Sequence, residues 1–110
     1  MDRAYSTPSV AIAAAGTTSN AFDVRDRAWG SFQAAASPAM IGTNVTFLVS
    51  NDGIHFAALN DNTGTAKAAV ACVTGQINPF PDELFYHTWA KIVSNTTETN
   101  GVIFSVLLKS

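Results

Sequence analysis

Charged side chains are scarce in this sequence. Asp, Glu, Lys and Arg occupy 13% of its 110 positions, about half of the roughly 25% usual in soluble domains. The formal net charge is −2, and the six Lys and Arg residues form no basic cluster along the chain. Binding to nucleic acid requires clustered positive charge, so the sequence predicts no nucleic-acid partner. A neutral polar surface of this kind suits a protein that packs against protein neighbours.

Cysteine is almost absent, since Cys72 is the only one. A fold held together by disulfides within the chain is therefore excluded. Cys72 lies in the small apolar segment 68–73, with no Lys or Arg beside it in the sequence. We therefore expect a buried side chain rather than a reactive thiol.

Long apolar runs are missing as well. No stretch reaches the 18 or so apolar residues that a transmembrane helix needs, so the sequence predicts no membrane partner. Residues 10–15 are too few and too rich in alanine for the core of a signal peptide, and we interpret them as a strand. We accordingly expect synthesis in a cytoplasm, without secretion by this route.

The motifs of catalytic and cofactor-binding sites are also absent. The sequence has no Gly-x-Ser-x-Gly, no glycine-rich phosphate loop and no Cys-x-x-Cys or His-x-x-x-His array. A metal site could draw on three scattered side chains at most: His55, His87 and Cys72. The aspartates that stand out are explained by turns or by the start of a helix: Asp52, Asp61 and Asp82. We therefore predict a protein that is not an enzyme, with no catalytic, cofactor-binding or metal residues and no cofactor.

The strongest structural signal is a β-hairpin over residues 45–56. β-Branched and aromatic residues flank Asn51-Asp52-Gly53, which is typical of a hairpin turn. A two-residue turn at Asp52-Gly53 would place one set of apolar side chains on a single face: Val45, Phe47, Val49, Ile54, Phe56 and Ala58. A three-residue loop would shift this register by one and mix the faces. The segregation of apolar residues favours the two-residue turn.

Short strands separated by turns continue along the chain. An N-terminal arm is expected over residues 1–8, and a single domain over residues 9–110. The predicted strands cover 9–14, 21–24, 28–35, 45–50, 54–58, 65–73, 88–94 and 102–108, with a helical turn at 81–85 and a long polar loop at 95–101. A helix over 27–36 is the alternative to the strand there, and 45–73 is expected to form a three-stranded meander. Seven or eight strands at this spacing predict an all-β fold, an antiparallel β-sandwich that is jelly-roll-like or Ig-like.

The last predicted strand is apolar on both faces. Its alternate positions are Val102, Phe104, Val106 and Leu108 on one face, and Ile103, Ser105 and Leu107 on the other. Such a strand is either central in a sandwich or covered by a partner.

Several aromatic side chains could instead form a carbohydrate-binding platform: Trp29, Trp89, Tyr86 and Phe80. Aromatic residues in a small sandwich are more often part of the core or of an interface. A carbohydrate-binding module, and an oligomeric fibre or adhesin subunit, are thus alternatives to a purely structural role.

An ordered set of segments between residues 9 and 108 resembles a known group of proteins. The segments are 22–24, Pro38, the run 46–56 with its Ser-Asn-Asp-Gly, 59–61, Asn78-Pro79, Phe85, Lys-Ile-Val-Ser at 91–94 and the aliphatic last strand. This pattern is similar to small tailed-bacteriophage virion proteins of the capsid decoration, cement or head-fibre type. The resemblance implies a non-enzymatic viral structural protein located in the virion. It also implies symmetric contacts with the major capsid protein or other virion proteins, on the capsid or at the head–tail region. A homo-oligomer with cyclic symmetry is the arrangement expected for such contacts.

Overall fold

The computed structural model describes residues 4–110, which form eleven strands and one short 3₁₀ helix. The strands are β1 (Tyr5–Ser6), β2 (Val10–Ile12), β3 (Gly16–Thr18), β4 (Phe22–Asp23), β5 (Trp29–Ala34), β6 (Asn44–Ser50), β7 (Ala57–Ala58), β8 (Val70–Ala71), β9 (Ile77–Pro79), β10 (Trp89–Glu98) and β11 (Val102–Lys109), and the 3₁₀ helix is Asp82–Tyr86. There are more strands than the seven or eight predicted because several contain only two or three residues. Within the described range, no helix is long and apolar enough to cross a membrane.

The strands form two antiparallel sheets, which confirms the predicted β-sandwich. In sheet 1 the order is β1–β11–β5–β9, and β2 also pairs with β11. In sheet 2 the order is β3–β10–β6–β7, and β4 and β8 pair with β10 and β6. The long strands β5, β6, β10 and β11 are therefore central, and the short strands lie at the edges.

The chain start runs along the edge of sheet 1. Tyr5 pairs with Lys109 in β1, and Val10 pairs with Phe104 in β2, so both strands keep one register along β11. Residues 4–8 of the predicted N-terminal arm thus lie against the sandwich. Residues 1–3 of that arm lie outside the described residues.

A cluster of phenylalanines fills the space between the sheets. Phe32 of β5 lies 5.7 Å from Phe47 of β6, 4.8 Å from Phe80 and 6.4 Å from Phe104, measured between ring centroids. All four side chains are buried. Alternate residues of the central strands point inward, as the period of two in the sequence requires.

The hairpin has a different register from the favoured one. Leu48 pairs with Ala58 and Val49 with Ala57, one position away from the pairing that a two-residue turn at Asp52-Gly53 would give. The prediction of that turn is wrong, and Ile54 is 77% exposed rather than on the core face. The physical reason is a wider loop, in which the Asp52 carboxylate accepts the N–H groups that a tight turn would pair across the strands.

Two further predictions are corrected next to this hairpin. The expected strand over 65–73 is reduced to Val70–Ala71. Both β7 and β8 pair with the same edge of β6, so the three segments do not form a meander. A second tight turn explains this arrangement. It lies between Asn60 and Ala66, which form an isolated antiparallel bridge, and it reverses the chain before β8 pairs with β6.

The remaining elements agree more closely with those predicted from the sequence. Residues 29–34 form a strand, so the helix alternative there is wrong, and the helical turn near residues 81–85 is confirmed. The predicted polar loop 95–101 is wrong in its first half, since β10 continues to Glu98. The turn to β11 occupies only the last residues of that loop, where Gly101 adopts a φ of 75°.

Candidate functional site

A cleft of about 450 Å³ lies beside β6 and β7 of sheet 2. Three segments form its walls: the loop after β6, the turn at residues 60–62 and the 3₁₀ helix with the residue that follows it. Its polar lining consists of Ser50, Asn51, His55, Asn60, Asp61, Asn62, Glu83, Tyr86 and His87. A concave site with a few converging polar groups is the usual form of a ligand pocket.

The loop after β6 is organised by the Asp52 carboxylate. Its Oδ1 accepts the backbone N–H groups of Ile54 and His55, both at 2.8 Å, which confirms the predicted role of Asp52 in a turn. Its Oδ2 lies 2.7 Å from His55 Nδ1. The hydrogen bond from the His55 side chain is the main cause that lowers the pKa of Asp52 far below its usual value.

Ser50, Asp52 and His55 are the three residue types of a hydrolase triad, but their order of contact is different. The Ser50 hydroxyl donates to Asp52 Oδ1 at 2.9 Å and accepts the N–H of Gly53 at 2.9 Å. A serine nucleophile needs its hydroxyl on the histidine, with the carboxylate behind that histidine. Here Asp52 lies between the other two, so the group acts as a loop support. The sequence-based prediction that this protein is not an enzyme stays a prediction.

The turn at residues 60–65 forms the second wall. Asp61 Oδ1 accepts the N–H of Thr63 at 2.9 Å and that of Thr65 at 3.1 Å. Hydrogen bonds from Thr63, chiefly from its side chain, lower the pKa of Asp61. Asp61 is therefore a turn residue, as predicted, and it also brings a negative charge to the cleft.

The 3₁₀ helix forms the third wall. Its anchor is Leu84, which is fully buried, whereas Tyr86 is 75% exposed and faces the cleft. The helix start is acidic, as predicted for Asp82, although no side chain caps its backbone. Glu83 accepts a hydrogen bond from Lys67 Nζ at 2.9 Å, and this contact is the main cause that lowers the pKa of Glu83.

The two histidines that sequence analysis considered separately both line this cleft. His87 Nδ1 lies 3.2 Å from Asn51 Oδ1, and His55 is tied to Asp52. Cys72 is elsewhere, buried with its Sγ 3.8 Å from the sulfur of Met40, and burial raises the pKa of its thiol. Among residues 4–110, no three His, Cys, Asp or Glu side chains come together as metal ligands would.

The four aromatic residues considered for a sugar platform do not share one surface. Phe80 is buried in the core, which leaves it unavailable to a ligand. Trp29 lies on the outer face of sheet 1, where Lys109 Nζ is 5.2 Å from its ring. Trp89 lies on the outer face of sheet 2, under Gly53 and 5.4 Å from the Arg25 guanidinium. Only Tyr86 projects into the cleft.

The outer face of sheet 1 is a second candidate surface. Four of its large apolar side chains are exposed: Tyr5, Trp29, Ile77 and Ile103. Lys109 is the only charged residue in the five strands of this sheet. The prediction that the last strand is apolar on both faces is thus confirmed, because Ile103 is 55% exposed while its neighbours Val102 and Phe104 are buried.

The buried carboxylate of Glu98, at the end of β10, was not predicted from the sequence. It is fully buried and accepts the N–H groups of Ile41 at 2.7 Å and Gly42 at 2.9 Å. The Ser94 hydroxyl donates a third hydrogen bond, at 2.7 Å. This cluster is closed to solvent, so it fixes the segment before β6 and is no part of either candidate surface.

Comparison with known proteins assigns no family: no family model, no curated protein and no solved structure matches this chain. A function can therefore be proposed only from the two candidate surfaces and from the sequence pattern itself.

Proposed function

We propose that this protein is a non-enzymatic structural protein of a tailed-bacteriophage virion. In this role it decorates or cements the capsid, or lies at the head–tail region, and it contacts the major capsid protein or other virion proteins. Copies are held by symmetric contacts as a homo-oligomer. The sequence resemblance described above motivates the class, and the outer face of sheet 1 is the observation that carries the mechanism.

That face has the properties of a protein-binding surface. Single exposed apolar residues are ordinary, but Ile77, Ile103 and Tyr5 lie in one sheet that has a single charged residue. Stable interfaces have an apolar, charge-depleted centre, and this face shares that feature with them. The register places Tyr5 opposite Lys109 and Ile103 opposite Ala11, so the side chains that form this face lie in cross-strand rows.

Repeated copies make a modest interface sufficient. A single face of this size need not bind tightly, because every contact on a closed symmetric particle is repeated. Linked copies gain apparent affinity without any new contact. A capsid therefore suits a small domain whose recognition surface is one sheet face.

The test uses purified particles of the virus that encodes the protein. We expect mass spectrometry to find it in the virion, and electron microscopy to show lost density in particles that lack it. Those particles should also tolerate less heating. An unaltered virion composition and stability after deletion would refute the proposal.

The role of sheet 1 is tested by adding variants back to deficient particles. Ile77→Lys and Ile103→Lys place a charge in the apolar face, and we expect each to reduce occupancy at least about tenfold, equivalent to roughly 1.4 kcal/mol. Ile54→Lys is the matched control, because Ile54 is even more exposed than Ile77 and Ile103 but lies in the loop after β6. Equal occupancy for all three variants would exclude this face as the contact.

A further inference from the structure

We propose that the cleft beside β6 and β7 binds a neutral oligosaccharide, with the Tyr86 ring as its stacking platform. This inference goes beyond the virion role and does not depend on it, since no residue of sheet 1 lines the cleft beside β6 and β7. It rests on the presentation of Tyr86, the shape around it, the polar groups beside it and the local charge.

Tyr86 is held in an exposed position by its buried neighbours. Leu84 is fully buried two residues earlier, and Phe85 packs edge-to-face on Phe80 with 6.2 Å between ring centroids. The ring of Tyr86 is nevertheless 75% exposed. The backbone at Tyr86 is thus anchored, and a tyrosine side chain has only two rotatable angles to order when a ligand covers its ring and buries apolar surface. The C–H face of a pyranose ring is a suitable cover.

The space around Tyr86 is elongated. A second depression of about 460 Å³ adjoins the cleft, and Tyr86, Glu83 and Asn62 line both. Pro79 and Pro81 contribute to the far side of the second depression. Each volume lies within the range of ordinary ligand sites. Two adjoining depressions that share Tyr86 favour a chain of sugar units over a single one.

The polar groups beside Tyr86 have the mixed donor and acceptor character that hydroxyl groups require. The side-chain amides of Asn60 and Asn62 line the cleft and make no side-chain hydrogen bond to any residue from 4 to 110. Each amide offers two donors and one carbonyl acceptor. His87 adds its Nε2, because its Nδ1 is already directed at Asn51.

The local charge argues against acidic sugars. Asp61, Asp82 and Glu83 line the two depressions, and Lys67 is the only Lys or Arg side chain among their lining residues. Lys67 is paired with Glu83. The remaining negative charge would repel a carboxylate or sulfate group, so neutral hexoses and N-acetylhexosamines are the sugars that fit.

The experiment is a glycan array with the full-length protein, followed by titration calorimetry on the neutral oligosaccharides that bind. We expect neutral glycans to bind and their sialylated or sulfated forms to bind less. Tyr86→Ala should weaken binding at least about tenfold, whereas Tyr86→Phe keeps the ring and should retain most of the affinity. Tyr5→Ala is the matched control, because the other exposed tyrosine lies in sheet 1.

Three results would overturn the inference: no neutral glycan binds, only acidic glycans bind, or Tyr86→Ala binds as well as the unchanged protein. These outcomes are independent of the virion test. If Ile103→Lys loses particle binding but keeps glycan binding, the two surfaces act separately. The same conclusion follows if Tyr86→Ala loses glycan binding but keeps particle binding.

Discussion

The carboxylate of Glu98 illustrates how one residue can fix a segment distant in the sequence. Two of its hydrogen bonds come from the backbone of Ile41 and Gly42, so the chain before β6 is attached to the end of β10. The fit is tight, because a Cβ on Gly42 would lie 3.0 Å from Glu98 Oε2 and closer still to Ser94 and Asn95. A larger residue here would have to displace the side chains of Ser94, Asn95 and Glu98, so glycine suits the close approach.

We predict that Glu98→Gln destabilises the protein at neutral pH by about 1–3 kcal/mol, because an amide NH₂ would face a buried backbone donor. Burial raises the pKa of Glu98, but its three hydrogen bonds outweigh that effect and lower the pKa below its usual value. A lowered folded-state pKa gives stability that is present above the unfolded pKa and lost as pH falls through the folded one.

The measurement is urea denaturation of both proteins from neutral pH to about pH 3. The difference between wild type and Glu98→Gln should narrow as the pH falls. Glu83→Gln is the control at a partly exposed pair with Lys67, where contact with solvent should make the effect smaller than at the fully buried Glu98. A difference that stays constant with pH would contradict the role of the Glu98 charge.

The roles of single residues were predicted correctly where their hydrogen-bond partners are close in the sequence. Asp52 and Asp61 bond to N–H groups two to four residues ahead, as turn formers do. Glu98 was missed because its backbone partners lie far away in the chain, and Thr and Asn around it resemble a loop. The meeting of His55 and His87 at one cleft was missed for the same reason.

Among the elements, the edge strand β2 is held to both sheets. It pairs with β11 in sheet 1, and Ile12 also forms a bridge with Ser19. The Asn20 side chain accepts the N–H of Ala11 at 2.9 Å and donates to the carbonyl of Ser9 at 2.8 Å. This contact between Asn20 and β2, here called the clasp, closes one side of the sandwich. It also covers a strand edge that could otherwise pair with another chain.

We predict that Asn20→Ala loosens this edge without unfolding the domain. Backbone amides of residues 9–12 should exchange with deuterium several-fold faster, as expected for a loss of about 1 kcal/mol of local stability. Amides of β6 should be unaffected. Asn62→Ala is the control, since Asn62 lies in a turn outside the sheets; equal exchange in both variants would refute the clasp.

Element existence was easier to predict than register. Alternation identified β5, β6, β10 and β11 because their buried and exposed residues follow a period of two. The register predicted after β6 was wrong because the side chain of Asp52 accepts backbone N–H groups that cross-strand pairing would otherwise use. The segregation of apolar residues onto one face predicted that Ile54 and Phe56 enter the core. The wider loop leaves both residues outside it.

For the molecule as a whole, stability depends on rings that join the two sheets. Phe32 of sheet 1 contacts Phe47 of sheet 2 in an edge-to-face arrangement, and Phe80 packs on both. Since the domain has no disulfide within the chain, this apolar packing is the main attachment between its layers. The sequence predicted the class of fold from another signal, the short strands separated by turns at regular spacing.

We predict that Phe32→Ala costs about 3–5 kcal/mol, the usual range for a phenylalanine removed from a core. A small domain has only about 5–15 kcal/mol in total, so its midpoint of thermal unfolding should fall sharply. The control is Phe56→Ala, whose ring lies outside the core with Lys91 Nζ 4.2 Å from its centroid. Similar midpoints for the two variants, measured by circular dichroism, would contradict this view of the core.

The two candidate surfaces belong to opposite sheets, and this arrangement has a consequence for display. A copy seated through the outer face of sheet 1 keeps its Tyr86 cleft, beside sheet 2, open to solvent. An array of such copies would present many equivalent clefts at fixed spacing. Low-affinity recognition at each one would then add up to firm, reversible adhesion to a densely glycosylated surface.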